Sequence, residues 1–319
     1  MTMDMNTRTE KRGISLGSRA KHTWTLIKNE KSLYIMIIPV LLYYIIFCYI
    51  PMGGAIISFK HFSPAQGLWN SPWVGFQWFE EFFRSPYFAR TFTNTLRISL
   101  ATILFGFPAP ILFALLINEL HGTKFKRIVQ TLSYMPHFVS LVVTCGMVIE
   151  FTRYNGVITQ VLGIFGFPQK TMLQEPNLFM PVYVISGIWQ EVGWGSIIYL
   201  SALVGIDQQL YEAARIDGAG RIRQTINITL PCLLPTIIIM LILRIGGLMN
   251  VGFEKIILLY NDAVMSKADV ISSYVYRKGL LEANWSYSTA VGLFNGLINC
   301  ILLISANTIT RKFADTKLW

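Results

Sequence analysis

The chain has 319 residues, 53% of them hydrophobic and 14% charged, with a mean hydropathy of +0.48 and a formal net charge of +10. The charged content lies far below the roughly 25% of an average soluble domain, and the apolar excess comes in blocks that reach the about 20 helical residues a bilayer requires. These values exclude an ordinary soluble domain. The basic residues gather beside the apolar blocks instead of alternating with aromatics, which argues for membrane lipid and against a nucleic-acid partner.

Residues 1–31 are polar and basic without apolar periodicity and read as a mobile cytoplasmic tail. Leu33–Ile50 is the first expected span. It is too long for the apolar core of a cleaved signal peptide and runs on into PMGGAIISF. The segment 51–94 is rich in Trp, Phe and Tyr, and WVGFQWFEEFF suits a helix in the headgroup region or a docking surface. Thr95–Ile117 is the second span, where Pro108 and Pro110 should produce a kink. Ile128–Glu150 is the third, with His137 inside it as a packed or hydrogen-bonded residue. Leu178–Leu203 is the fourth and carries the polar patch WQEVGW, with Gly187, Gly193 and Gly195 allowing close helix contacts. Cys232 to about Val251 is the fifth, with Arg244 inside it, and Tyr287–Ile309 is the sixth. Cys48, Cys145, Cys232 and Cys300 lie in or beside apolar runs without paired spacing, as free thiols do.

The fold class is therefore all-α and polytopic, with six transmembrane helices. Lys and Arg number seven in residues 1–31 and three each in 118–127, 204–231 and 310–319. The alternate segments 51–94, 151–177 and 252–286 hold three, two and four, spread over longer stretches. Basic loops stay inside, so both termini and the loop 204–231 are expected in the cytoplasm of a cell membrane protein.

That loop contains YEAARIDGAGRIRQTINITLP between two apolar runs. Asp207 is placed to cap a short helix, on which Leu210, Ala213 and Ala214 share one side and Glu212 lies on the flank. Gly218 and Gly220 permit a reversal. RIRQTINI suits a second short helix before Pro231 opens the fifth span. The product is a compact knuckle with a small-residue surface and one projecting carboxylate.

Glu212, Ala213, Ala214, three residues, Gly218, nine residues, Ile228, one residue, Leu230 and Pro231 follow the EAA-loop pattern of ABC-importer permeases. The stretches IPVLLYYIIFCYIPMGGAIISFK, GWGSIIYLSAL, GFEKIILLYND, SYVYRKGL, AVGLFN and the terminal LW resemble the permeases that import complex carbohydrates. The resemblance implies a type I importer permease, divided into a tail 1–31, a first helix with outer segment 32–91, a permease domain 92–309 holding the loop 211–231, and a tail 310–319. It also implies three partners: a second homologous permease, a dimer of ATPase subunits, and an extracytoplasmic solute-binding protein. ATP and Mg would sit on the ATPase subunits, with no cofactor or metal on this chain. Glu212, Ala213, Ala214, Arg215, Asp217 and Gly218 would form the coupling surface, with Glu212 accepting a bond from a basic ATPase residue.

Charges within a span are costly unless paired or hydrated. Arg244 and Glu191 either pair with each other or neighbouring helices, or line a water-filled path for the solute. On the second reading Trp189 and Trp194 stack on sugar rings, and Gln190 and Asn250 bond hydroxyls. An ion-coupled secondary sugar transporter is the rival class, but the paired broken helices of inverted halves are not visible. An enzyme is disfavoured, since His22, His61, His121 and His137 are scattered. No G-x-x-x-x-G-K-[ST] phosphate loop occurs, so ATP must be hydrolysed by another chain.

Overall fold

The computed structural model describes residues 31–313; the expected tail residues 1–30 and 314–319 lie outside them. The described residues form helices and no strand beyond a single bridge between Lys60 and Trp73. The chain divides into two units, residues 1–56 and 57–319.

In the first unit, helix α1 (Lys31–Tyr44) continues through further helical turns. Its apolar side chains, from Leu33 to Met52, are exposed, a state that lipid tolerates because the helix satisfies its own backbone.

The second unit follows in order. Helix α2 (Gln77–Arg84) leads into the long α3 (Pro86–Glu119). Helices α4 (Thr123–Tyr134), α5 (Leu141–Phe151) and α6 (Val157–Ile164) come next. The 29-residue α7 (Pro176–Val204) is followed by the short α8 (Gln208–Ile216) and by α9 (Arg221–Gly246). The short helices α10 (Phe253–Leu259), α11 (Met265–Ala268) and α12 (Ile271–Tyr276) precede α13 (Trp285–Phe313).

Among the described residues, four helical stretches are long and apolar enough to cross a membrane: Lys31–Phe59, Pro86–Glu119, Arg221–Gly246 and Trp285–Arg311. The expected third span is not one rod. Thr123–Phe138 and Leu141–Phe151 meet at 101°, and as one broken span they make a fifth. Pro136 removes a backbone donor, Val139 and Ser140 are extended, and the Ser140 hydroxyl accepts the Val143 N–H to start α5. His137 therefore lies at a corner and not inside a straight helix. Helix α7 has the length to cross, but WQEVGW leaves it outside the apolar set.

Three prolines sit within long helices by one device. Pro51, Pro108 and Pro231 each follow a widened turn that starts six residues earlier, at Ile45, Thr102 and Thr225. A proline ring crowds the carbonyl four residues back and offers no N–H to it; the wide turn moves that carbonyl aside. The place where a kink was expected, at Pro108 and Pro110, is this widened turn, and α3 continues through it. For the same reason RIRQTINI is no separate helix but the start of α9.

Three cores hold the second unit. Phe179 and Tyr183 of α7 pack with Ile98, Val148, Ile256 and Val270. Trp78 and Phe82 of α2 pack with Tyr274, Tyr287 and Val291. Ile111, Tyr199, Leu203 and Leu233 form the third. The aromatic segment expected at the membrane surface is thus divided. Phe82 is 1% exposed and the Trp78 Nε1 donates to the Lys60 carbonyl at 3.0 Å, whereas Trp69, Trp73 and Phe76 stay exposed. Gly193 lets α7 meet α4, since a Cβ there would lie 2.1 Å from the Ser133 carbonyl oxygen.

Candidate functional site

The loop between α7 and α9 is built from local chemistry. The Asp207 carboxylate accepts the Gln209 N–H at 2.9 Å and starts α8. The helix ends at Gly218, whose φ of +77° an L side chain rarely adopts. Around it the Gly218 N–H donates to the Arg215 carbonyl and the Ala219 N–H to the Ala214 carbonyl, the paired bonds of a glycine-terminated helix. Gly220 instead has φ −69° and needs no special freedom.

Tyr211 fixes α8 to α9 by a 2.9 Å hydroxyl contact with Thr229, and it packs on the third core. Arg221 lies 3.0 Å from His121 Nε2. The knuckle is therefore fastened to three long helices. Glu212, Ala213, Arg215 and Asp217 are exposed, and Ala214 is half-buried beside Tyr211. Ile216 and Val204, 87% and 85% exposed, add apolar surface.

The second constellation lies on α7. Glu191 does not pair with Arg244. Its carboxylate lies 3.1 Å from His137 Nδ1 at the α4–α5 corner. The His137 ring lies flat on Trp194, centroids 4.5 Å apart and 2° between planes, while Phe138 meets Trp194 edge-on. Trp189 and Trp194 are both partly exposed, but five residues at 3.6 per turn set them about 140° apart on the helix. They do not form one aromatic clamp. Gln190 is buried, whereas Arg244 is exposed with its charge acting on Tyr183. The Asn250 Oδ1 accepts from both Asn295 and Asn299 of α13, at 3.0 and 3.1 Å.

Three features escaped the sequence reading. Lys255 is 8% exposed; its Nζ donates to the Tyr183 carbonyl at 3.0 Å and lies 4.8 Å from that ring's centroid. Burial pushes this ammonium down to about 8, with Cys145 and Glu191 opposing. Asp269 has no exposed surface and is held by Arg90, Arg277 and Ser273. The amides Asn295 and Asn299, four residues apart in an apolar run, were the one available signal for the contact with Asn250.

Residues 106–314 match the profile of the binding-protein-dependent transport system inner membrane component family. The chain belongs to that family. The permease is 45% identical over 294 residues to protein LplB of Bacillus subtilis (strain 168), covering 92% of each chain. It is 40% identical over 304 residues to the polygalacturonan/rhamnogalacturonan transport system permease protein YteP of the same organism, covering 94% of this chain and 95% of YteP. A chain in the crystal structure of a bacterial ABC transporter involved in the import of the acidic polysaccharide alginate superposes with a TM-score of 0.84 at 41% identity. That match covers 92% of the permease and 99% of the other chain. The permease is a transport subunit and not an enzyme.

Proposed function

We propose that the permease is one half of the membrane channel of an ATP-driven importer of saccharides, acidic oligosaccharides in particular. Six crossings are formed by α1, α3, the bent α4–α5 pair, α7, α9 and α13, with both termini in the cytoplasm of the cell membrane. At 1.5 Å per residue, α7 reaches about 44 Å, enough to cross despite its polar patch. A second homologous permease completes the channel, and a solute-binding protein delivers cargo from outside.

The observation that carries the coupling role is the knuckle itself. An exposed helix with the Glu212 carboxylate on its surface ends on a glycine turn and is fastened by Tyr211 to the third core. Force applied to such a body moves α3, α7 and α9 together. Its partner is the ATPase dimer, which carries ATP and Mg. Glu191, Trp194 and Arg244 belong to the solute path. The acidic cargo is supported by relatives that carry polygalacturonan or alginate and by Arg244, which is exposed and has no ion pair among the described residues.

The decisive experiment reconstitutes the permease with its second permease, ATPase subunits and binding protein in vesicles. Uptake should require both ATP and the binding protein. Uptake driven by an ion gradient without ATP would overturn the reading in favour of a secondary transporter.

A further inference from the structure

We infer that His137 is a latch over the Trp194 ring, and that Lys255 is the second partner that draws Glu191 off it. The inference rests on the saccharide-path reading above. While Glu191 holds His137 at 3.1 Å, the imidazole covers one face of Trp194 at a centroid distance of 4.5 Å. That face is closed to a sugar ring. His137 sits at the 101° corner between α4 and α5, and Glu191 and Trp194 of α7 reach it there.

Lys255 is the charged group nearby without a charged partner. An ammonium has three donors, and among the described residues this buried one has one hydrogen-bond acceptor, the neutral Tyr183 carbonyl, beside the face of the Tyr183 ring. Among the described residues no carboxylate lies within 4 Å of it. A buried charge in this condition is costly. Tyr183, Gly187 and Glu191 follow at intervals of four and share one stripe of α7. Lys255 Nζ lies against that stripe at Gly187, where a Cβ would be 3.2 Å away. Glu191 is one helical turn further, about 5–6 Å along the axis, and its charge already reaches the ammonium. The missing side chain at Gly187 leaves the lane between them open.

The exchange replaces a carboxylate–imidazole bond by a carboxylate–ammonium bond, with charge on both sides. Glu191 swings along the stripe, His137 is released, and Trp194 presents a free face. No bond is made or broken covalently. Lys255 acts as a positioning residue and does not itself touch the cargo.

The test uses the complete transporter in vesicles, with trigalacturonate and maltotriose as uptake probes. Lys255→Met should lower initial uptake at least tenfold, and adding His137→Ala should restore it at least fivefold. Removing a side chain at residue 137 would not repair a merely structural loss at residue 255. If Lys255→Met fails to assemble, Lys255→Gln carries the same test. Its amide has no charge to draw Glu191 off His137, so uptake should fall, and His137→Ala should again restore it. Wild-type uptake in the single variants, or no recovery in the doubles, overturns the latch. Wild-type vesicles that import neither saccharide overturn the function on which it rests.

Discussion

Asp269 receives the Arg277 guanidinium at 2.8 Å on each carboxylate oxygen, with none of the aspartate side chain exposed. Arg90 of α3 adds a third bond at 2.9 Å, and Asn94 holds the Asp269 carbonyl at 3.0 Å. This hub ties the short helices between α9 and α13 onto the second long helix. Despite its burial the net direction for Arg277 is upward, because Asp269 bonds it. Asp269→Ala leaves two arginines facing each other, a loss on the order of 3–5 kcal/mol for a broken buried pair. The expected result is a clear fall in the thermal midpoint of the detergent-solubilised permease. An unchanged midpoint would show that the hub contributes little.

Gly218 and Glu212 separate two roles of the knuckle. At φ +77° a residue with a Cβ is strained by about 1–2 kcal/mol, so Gly218→Val should unwind the end of α8 and misplace the coupling surface. Glu212 is exposed and has no ion pair among the described residues, so Glu212→Lys should leave the permease as stable as before. Both variants are expected to lose saccharide uptake by tenfold or more while the assembled complex keeps basal ATP hydrolysis. Uptake at the wild-type rate in either one would remove that residue from the coupling surface.

The knuckle was legible because its causes are local. A carboxylate one residue before a helix and a glycine just after it act on neighbouring backbone groups, as Asp207 and Gly218 do. The long apolar helices were legible from composition alone. The α4–α5 corner was not, although Pro136 and Ser140 marked it, because the hydropathy of the surrounding run outweighed two small punctuating residues. Helix α9 was cut in two on paper because a proline reads as a boundary, whereas a widened turn lets the helix pass. Lys255 lay beyond reach for a different reason. Its burial depends on Gly187 and Tyr183, which arrive from a distant helix, and no pattern around GFEKIILLY encodes them.

Lys255 also predicts a pH dependence. Burial lowers its ammonium from 10.5 to about 8 in the fold, so the charge is present below that value and lost as pH rises through it. The unfolded chain keeps its proton up to 10.5, so stability increases with pH between about 8 and 10.5. Transport has the opposite sign, because the charged form is the one that attracts Glu191. Uptake should fall as pH rises from 7 to 9, and Lys255→Arg, which keeps its charge, should flatten that profile. Glu191, His137, Cys145 and Tyr183 face the same region, so the comparison between Lys and Arg is what assigns the effect. An identical fall in both proteins would place the titration elsewhere.

Arg244 bears on the cargo. It sits near the end of α9, exposed and without an ion pair among the described residues, although its charge reaches Tyr183. A cation within a span costs roughly 2.5–3.5 kcal/mol on insertion scales, so an exposed one requires water, a partner subunit or an anionic solute. Glu191 is already occupied by His137 and does not neutralise it. If the solute supplies the negative charge, Arg244→Gln should reduce uptake of trigalacturonate about tenfold and leave maltotriose within about twofold, since one charge-assisted bond contributes on the order of 1.5–3 kcal/mol. Equal losses for the acidic and the neutral saccharide would mean that Arg244 orders the channel wall and does not select its cargo.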